Sequence, residues 1–393
     1  MNKQQYIESV NAAKQHSYEY YVLSKPTVSD AEFDALVDRI EQAEAEHPDW
    51  TLADSPTQCV GSDLSGNGKR LVRHRTPMLS CQKAQTTEAV EKWIKQAEKK
   101  LVKMHGKDAD RYFTTMWKYD GISCSLVYQD GQLISAATRG DGNNGSDLME
   151  HVKVMHTVPK TLKCSARNYD FTGRIEVRGE IVMPKVSLSR AAGYSDCRSA
   201  ASGICGKNYV TDDTRLLEFI PWAAIIDERI SKQYLLRTDN QVGMRSFLGD
   251  IGFIFVTVDE SYSFEGVLNY IAVASKQRDY LPYPVDGLVV RVFTDSDFYA
   301  FGFTDHHPKG SIAYKFPAQT TTSVVRRIEI TVGATGRRTP VAWFDPVTIL
   351  GRTVEKASLG SEDTMRKLGV TEGARVEVGL SNDVIPKIYR VVA

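Results

Sequence analysis

The sequence predicts an α+β protein of several domains, with an N-terminal helical hairpin, a central region rich in antiparallel strands and a C-terminal β-barrel. Apolar residues recur at helical spacing up to about residue 48. Short strand-type runs dominate the middle of the chain, and nearly every run after residue 320 is of strand type. At roughly 150 residues per domain, the 393 residues correspond to two or three domains.

The composition is that of a soluble globular protein, with 42% hydrophobic and 25% charged residues. The 49 basic and 49 acidic residues cancel, so the net charge neither indicates nor excludes a nucleic-acid partner. The six cysteines are scattered without a C-x-x-C pair, which predicts free thiols and no zinc. The N-terminus is polar and no apolar run reaches about 18 residues, so we expect a cytoplasmic protein that does not enter a membrane.

The N-terminal region is predicted to form two helices. One apolar stripe runs along residues 6–20, and a second runs along residues 33–43. Ser29 and Glu32 have the spacing of a capping box, which predicts the start of the second helix. Pro48 is expected to end it.

The central region begins with a predicted helix over residues 87–105 and then changes to strands. The dipeptide Asp130-Gly131 is a strong hairpin signal between strands predicted at residues 124–128 and 132–138. Further strands are predicted at residues 174–183, 288–292 and 312–316. These patterns predict an α+β region with much antiparallel sheet.

The last roughly 75 residues are predicted to form a small Greek-key barrel of the oligonucleotide-binding (OB) type, since short strands alternate there with glycine-containing turns. The strands are predicted at residues 328–332, 341–344, 346–349 and 375–378.

A glycine-rich segment gives a competing interpretation. Gly140, Gly142 and Gly145 match the G-x-G-x-x-G pattern of dinucleotide-binding loops, which would suit a Rossmann dehydrogenase. The strand before them belongs to the predicted hairpin rather than to a parallel βαβ unit, which disfavours that interpretation.

A series of short charged motifs carries the strongest functional signal. The first, Lys-Tyr-Asp-Gly at residues 118–121, is weak by itself, because its K-x-D-G pattern arises by chance in roughly one chain of this length in ten. Four others follow it in the chain. They are Thr-Arg-Gly-Asp-Gly at 138–142, Glu-Val-Arg-Gly-Glu at 176–180, Val-Asp-Gly-Leu-Val-Val-Arg at 285–291 and Ala-Tyr-Lys-Phe-Pro at 313–317.

The order of these motifs resembles that of the nucleotidyltransferase motifs of bacterial-type NAD-dependent DNA ligases. The resemblance extends towards the N-terminus as far as Tyr-Tyr-Val at residues 20–22, and towards the C-terminus as far as Asp-Val-Ile-Pro-Lys at residues 383–387. It implies a helical NAD-binding domain over residues 1–66, an adenylation domain with an ATP-grasp-like antiparallel sheet over residues 67–317, and an OB-fold domain over residues 318–393. It also implies a form shortened after the barrel.

The implied reaction is the sealing of a 5′-phosphate/3′-hydroxyl nick in duplex DNA, with NAD and Mg²⁺ as cofactors, by a protein expected to be a monomer. Lys118 would attack the α-phosphorus of NAD, release nicotinamide mononucleotide (NMN) and carry AMP to the DNA. A free lysine is almost fully protonated at neutral pH, so the site must favour the neutral amine. The implied catalytic residues are Lys118, Asp120, Arg139, Glu180, Asp286, Arg291 and Lys315.

The resemblance also implies which residues bind the cofactors. Lys315 and Arg291 would flank the α-phosphate, Trp222 would stack on adenine, and Glu180 and Asp286 would hold Mg²⁺. Acids and tyrosines of the first domain suit the cationic nicotinamide ring. The implied NAD-binding residues are Tyr20, Tyr21, Asp30, Phe33, Asp34, Ser80, Met116, Lys118, Arg139, Glu180, Trp222, Arg291 and Lys315.

Several positions depart from the family pattern. Met116 stands where the family has a glutamate that reads adenine, and Arg291 stands where it has a lysine, which keeps the charge but changes its geometry. Gly206 and Ala334 each replace an arginine. Two further alternatives therefore stay open: an ATP-dependent or RNA-directed nucleotidyltransferase, and a protein that binds nicked DNA or NAD without sealing.

Overall fold

The computed structural model describes most of the chain in two compact units. The first comprises Met1–Lys25 with Leu36–Phe316, and the second Pro26–Ala35 with Pro317–Ala393. The residues described are 1–21, 27–28, 30–52, 55–57, 69–106, 112–163, 171–194, 196–226, 239–254, 260–304, 307–317, 319–332, 338–349, 352–381 and 385–392. Ser29 and Ala334 lie outside them.

The N-terminal region contains the two predicted helices. Helix α1 covers Lys3–Tyr21 and helix α2 covers Asp30–Glu46, followed by a 3-10 helix that Pro48 opens. Tyr6 is fully buried on α1, and its hydroxyl donates to Glu44 of α2 at 2.7 Å. The same hydroxyl accepts from the Leu52 amide at 3.1 Å, so one buried phenol ties both helices to the chain that leaves them.

The first sheet of the larger unit has five strands in the order β2-β11-β10-β3-β9. Its strands are β2 (Gln82–Ala84), β3 (Phe113–Tyr119), β9 (Glu260–Tyr262), β10 (Val285–Val292) and β11 (Ser311–Lys315). One face carries apolar residues that pack against helices α3 (Thr87–His105) and α7 (Phe264–Gln277). The opposite face therefore receives the alternating polar residues of the same strands.

The second sheet has four antiparallel strands in the order β5-β4-β7-β8. They are β4 (Ile122–Gln129), β5 (Gln132–Thr138), β7 (Arg174–Val182) and β8 (Glu218–Ile226). The predicted hairpin between β4 and β5 is confirmed, since Asp130 and Gly131 both have positive φ, at 51° and 75°. One face packs on the largest apolar core, which includes residues of α4 (Met149–Val154), α5 (Cys197–Gly206) and α6 (Gln241–Asp250).

The glycine-rich segment is a turn of this antiparallel region and not a dinucleotide-binding loop. It joins β5 to β6 (Asn144–Ser146), which pairs in antiparallel fashion with β1 (Leu71–Arg73). The strand before it pairs with an antiparallel neighbour, whereas a Rossmann site needs parallel strands. The Rossmann interpretation is wrong for this reason.

The second unit contains a five-stranded antiparallel sheet in the order β14-β13-β12-β15-β16. The strands are β12 (Thr320–Val332), β13 (Arg338–Ile349), β14 (Arg352–Ser358), β15 (Arg375–Ser381) and β16 (Ile385–Val391). The strand content and connectivity are those of an OB fold. Helix α9 (Glu362–Leu368) lies between the third and fourth strands and was not predicted.

One strand prediction in this unit is wrong. The runs at 341–344 and 346–349 are not two strands but parts of β13, which continues through an irregularity in its pairing with β14 between Trp343 and Val347. Pro346 lies within this irregularity, where a strand tolerates proline. One helix remains, α8 (Asp295–Phe301) in the larger unit. Within the described part of the chain, no helix is long and apolar enough to cross a lipid bilayer.

Backbone packing between β7 and β8 predicts a stability difference between two glycines. A Cβ at Gly179 would lie 2.4 Å from the Ile220 carbonyl oxygen and from the Phe219 ring, whereas a Cβ at Gly206 would meet nothing within 4 Å. We expect Gly179→Ala to lower the free energy of unfolding by about 1–3 kcal/mol because the sheet must shift. The matched variant Gly206→Ala should change it by no more than about 1 kcal/mol. Urea unfolding of both variants tests this, and equal midpoints would contradict it.

Candidate active site

Two lysines lie on the same face of the first sheet, on the two strands that flank β10. Gly287 of β10 pairs with Lys118 of β3 on one side and with Lys315 of β11 on the other. Directly paired residues of antiparallel strands point to the same face, so both lysines project on the face opposite the apolar core. A Cβ on Gly287 would stand 2.0 Å from the Tyr314 carbonyl oxygen, so only glycine fits there. No side chain therefore separates the two lysines along this row.

A β-bulge brings Asp286 to the same place. On β3, Val285 pairs with Tyr119 and Gly287 pairs with Lys118, which leaves Asp286 as an extra residue. A bulge of this kind changes the direction of a side chain. The Lys118 ammonium donates to both carboxylate oxygens of Asp286 at 2.8 Å, and Lys315 Nζ lies 3.9 Å from the nearer one. The two lysines thus share one carboxylate.

Asp120 extends the cluster towards the second sheet. Arg198, on α5, donates to its carboxylate at 2.7 Å. Burial raises the pKa of Asp120, and the Arg198 guanidinium opposes that rise. The neighbouring Gly121 is required by a close approach, since a Cβ there would lie 2.2 Å from the Ile181 carbonyl oxygen of β7. The Lys-x-Asp-Gly motif therefore combines the lysine, the acid and the close contact between the two sheets.

Glu180 belongs to the second sheet and lies near Arg198 and Lys118. It pairs with Ser123 across β4 and β7, and the Ser123 hydroxyl donates to it at 2.9 Å. Burial raises the pKa of Glu180 to about 7, against the lowering effects of Arg198, of the Ser123 hydrogen bond, and of Lys118 and Arg139. Cations from several elements therefore act on this carboxyl group, and it is part of the same cluster as Lys118.

Arg139 and Ser80 lie together at the edge of this cluster. Arg139 follows β5, and its Nη1 donates to the Ser80 hydroxyl at 3.1 Å. The Ser80 carbonyl oxygen lies 3.0 Å from Nδ1 of His307. Sequence reasoning missed His307, which is distant in the chain and belongs to none of the motifs.

Three other predicted nucleotide contacts lie on strands of the two sheets. Met116 projects on the same face of β3, two residues away, and is half-buried. Trp222 is half-buried on β8. Arg291 lies four residues beyond Gly287 on β10, donates to Asp295 and stacks on the Phe298 ring with its guanidinium carbon 4.1 Å from the ring centre.

The predicted nicotinamide contacts are only partly described. Tyr20 and Tyr21 end α1, and Asp30 and Asp34 belong to α2, but their side chains lie outside the described part of the structure. Phe33 is half-buried on α2. Their roles stay predictions.

Glu180 and Asp286 supply the hard carboxylate oxygens that Mg²⁺ prefers. Among the residues that can be described, no group of three or more His, Cys, Asp or Glu side chains forms a metal site. Because Mg²⁺ is commonly bound by one or two carboxylates together with substrate phosphates, this donor pair fits the ion chemically.

Three sequence models of known domain families match the chain. The NAD-dependent DNA ligase adenylation domain matches residues 67–319, the NAD-dependent DNA ligase OB-fold domain matches residues 322–393, and the DNA ligase-like N-terminal NAD⁺-binding domain matches residues 2–61. The chain belongs to the NAD-dependent DNA ligase family.

Two relatives compared by sequence agree with this membership. The chain is 32% identical to a DNA ligase of Koribacter versatilis, over 96% of this chain and 56% of the relative. It is 35% identical to a DNA ligase of Solibacter usitatus, with the same two coverages. The chain thus spans about half the length of the curated relatives it matches. An ATP-dependent DNA ligase of bacteriophage T7 aligns in three dimensions with a TM-score of 0.36 and 13% identity, over 81% of this chain and 99% of that one.

The sequence of this ligase-family chain did not indicate that Arg198 belongs to the site, although Arg198 pairs with Asp120. Asp196 caps α5 by accepting from the Ser199 amide at 2.8 Å, and this fixes the first turn that carries Arg198. The capping aspartate was visible in the sequence. The partner of Arg198 was not, because Asp120 lies 78 residues earlier in the chain.

The raised pKa of Glu180 predicts a pH-dependent stability. Its folded-state pKa of about 7 exceeds its ordinary 4.5, so the folded protein binds more protons between these values. The free energy of unfolding should therefore fall as pH rises from about 4.5 to about 7 and level off above that. Because Gln cannot ionise, Glu180→Gln should gain stability relative to the parent over this range, by roughly 2–3 kcal/mol.

Urea unfolding of parent and variant at pH 5, 6, 7 and 8 measures this difference. Exposed Glu265 on α7 provides the control, and Glu265→Gln should differ from the parent by the same amount at pH 6 and pH 8. A Glu180→Gln difference that does not change with pH would contradict the prediction.

Proposed function

We propose that this protein seals 5′-phosphate/3′-hydroxyl nicks in duplex DNA with NAD as the source of AMP. The Lys118 amine attacks the α-phosphorus of NAD, a nitrogen–phosphorus bond forms, and the bond to NMN breaks. The AMP then passes from Lys118 to the 5′-phosphate of the nick. The 3′-hydroxyl attacks that phosphate, and AMP leaves as the phosphodiester forms.

The observation that carries the proposal is the pairing of Lys118 with a carboxylate that Lys315 also approaches. Lys118 is 30% exposed and Lys315 is 17% exposed, so the first is accessible to substrate and the second is more enclosed. A nucleophilic amine needs an acceptor for its proton and cations for the charge that develops on the phosphate. Asp286 and Lys315 have the chemistry for these two tasks.

Asp286 orients the Lys118 amine through both of its carboxylate oxygens. Because the amine donates to these oxygens, Asp286 is placed to accept its proton. Lys315, on the neighbouring strand, stabilises the charge on the α-phosphate oxygens. Arg139 adds a guanidinium fork that suits the ribose or the nick phosphate. The sequence prediction places Arg291 beside the same phosphate.

The remaining contacts define the nucleotide pocket. Trp222 stacks on adenine, and Met116 lies against its edge as an apolar contact. Asp120 orients the ribose or the nucleophile, and Glu180 contacts the ribose. Ser80 belongs to this pocket through its hydrogen bond with Arg139.

The N-terminal helices bind the NMN half of NAD. The residues proposed for this are Tyr20, Tyr21, Asp30, Phe33 and Asp34. Family membership supports NAD rather than ATP, because a match to the NAD⁺-binding domain covers residues 2–61. The proposed domain limits stay at residues 1–66, 67–317 and 318–393.

Mg²⁺ would be held by Glu180 and Asp286, whose carboxylate oxygens suit it. When bound, it would neutralise charge on the phosphate oxygens of the substrate. The proposed partner is nicked double-stranded DNA, and the protein is proposed to act as a monomer in the cytoplasm.

Intact-mass spectrometry tests the first step. The pure protein is treated with NMN to remove bound AMP and then incubated with Mg²⁺ and either NAD or ATP. We expect a gain of one AMP with NAD only, and no gain in Lys118→Ala because the nucleophile is lost. Peptide mapping should locate the adduct on Lys118, and exposed Lys92→Ala should retain it.

The sealing step is then followed with a labelled nicked duplex and NAD. A gain of AMP with ATP instead of NAD would move the protein to the ATP-dependent class, and no gain with either nucleotide would favour a protein that binds without sealing. An adduct without sealing would limit the function to nucleotidyl transfer.

Asp286 provides a separate test of the amine's orientation. Asp286→Asn keeps the shape but removes the charge that both lysines approach, so the rate of adduct formation should fall by about 100-fold or more. Exposed Asp212→Asn is the matched control and should react like the parent. Single-turnover adduct formation measures both rates, and a fall of less than threefold would remove Asp286 from the mechanism.

A further inference from the structure

Trp222 occupies a β-bulge. On β7, Arg178 pairs with Ala223 and Gly179 pairs with Pro221, which leaves Trp222 as an extra residue on β8. The bulged residue of such a pair is left out of the regular ladder. A contact from outside the sheet can therefore add to what fixes its backbone position.

Gln241 supplies such a contact. It is the first residue of α6 and is 3% exposed. Its amide is satisfied when the nitrogen donates to the Trp222 carbonyl oxygen at 3.3 Å and the oxygen accepts from Nη1 of Arg291. A buried primary amide that serves both partners must hold one orientation. Gln241 thereby links the bulge on β8 to a cation on β10.

Arg291 is itself fixed on two further sides. Its Nη2 donates to Asp295, its guanidinium stacks on the Phe298 ring, and the residue is 8% exposed. A guanidinium offers donors in a rigid planar fork that can serve two acceptors while its face stacks on an aromatic ring. The ammonium of lysine is a compact point charge and cannot make all three contacts in this geometry.

The backbone near these residues is also held. The Asp295 amide donates to the Asp239 carbonyl oxygen at 2.7 Å, and Asn240 forms a bridge with Thr294. The start of α6 and the start of α8 are therefore joined by backbone contacts. At about 3.3 Å per residue, Arg291 lies roughly 13 Å along β10 from the row that contains Lys118.

From this geometry we infer that Gln241 is a positioning residue for the nucleobase pocket. Asp295 holds Arg291, Arg291 holds the Gln241 amide, and that amide fixes the bulge that presents Trp222 to adenine. Arg291 then acts through Gln241 on Trp222 instead of contacting the α-phosphate. The inference rests on the proposed function, since it assigns Trp222 to adenine stacking.

It follows that changing Arg291 to the lysine of the family pattern should harm this protein. We expect Arg291→Lys and Gln241→Leu each to weaken NAD binding by about 3–10-fold, the range that corresponds to one lost hydrogen bond. Titration calorimetry on the full chain carrying Lys118→Ala measures binding without adduct formation. Exposed Arg190→Lys is the matched control and should bind like the parent.

A double-variant cycle separates positioning from general loss of structure. If Gln241 acts through Trp222, Gln241→Leu should weaken NAD binding less than twofold once Trp222→Ala is present. Gln241→Glu keeps an acceptor for Arg291 but has no donor for the Trp222 carbonyl, so it should bind as weakly as Gln241→Leu even if the leucine variant loses stability.

Several results would overturn the inference. These are Arg291→Lys binding at least as tightly as the parent, Gln241→Glu binding like the parent, or effects of Gln241→Leu and Trp222→Ala that simply multiply. A parent that binds no NAD would overturn the proposed function as well. NAD binding by the parent with unchanged variants would overturn only the inference.

Discussion

The contact between the Lys118 ammonium and the Asp286 carboxylate is the interaction on which the rest of the site depends. It exists because a single extra residue on β10 turns Asp286 towards the polar face of the sheet. In a regular strand, neighbouring residues point to opposite faces, and Asp286 would then point away from Lys118. The bulge therefore converts three adjacent strands into a site with two cations and one shared anion.

The second constraint is the division of labour between the two faces of each sheet. The apolar faces pack on helices and fix the strands, while the opposite faces collect charged groups that would be costly inside either core. Glu180 and Asp120 come from the polar side of this arrangement, and both have raised pKa values because burial disfavours their ionised forms. Their cationic neighbours Arg198 and Lys118 limit that effect. The site thus holds carboxyl groups whose ionised forms are disfavoured by burial and favoured by the neighbouring cations.

The departures from the family pattern have different structural consequences. Gly206 lies at the end of α5, and a Cβ there would meet no neighbour. Arg291, in contrast, is buried and joined to Asp295, Phe298 and Gln241. A substitution at the first position changes one side chain, whereas a substitution at the second changes several contacts at once. Similar departures in sequence are therefore unequal in the fold, since burial determines how many partners must adjust.

The sequence by itself determined much of the local structure and the family to which the main motifs belong. Hydrophobic spacing predicted α1, α2 and α3, Asp130-Gly131 predicted the hairpin, and the ordered motifs indicated the family, because each of these signals is contained in a short stretch of chain. It did not predict that residues 341–349 form one strand, or that Glu362–Leu368 form a helix. Only the tertiary structure decided that Asp286 faces both lysines, that Arg198 pairs with Asp120, and that Gln241 links Arg291 to Trp222. These contacts join residues far apart in sequence, and they depend on strand register and bulges that side-chain patterns do not encode.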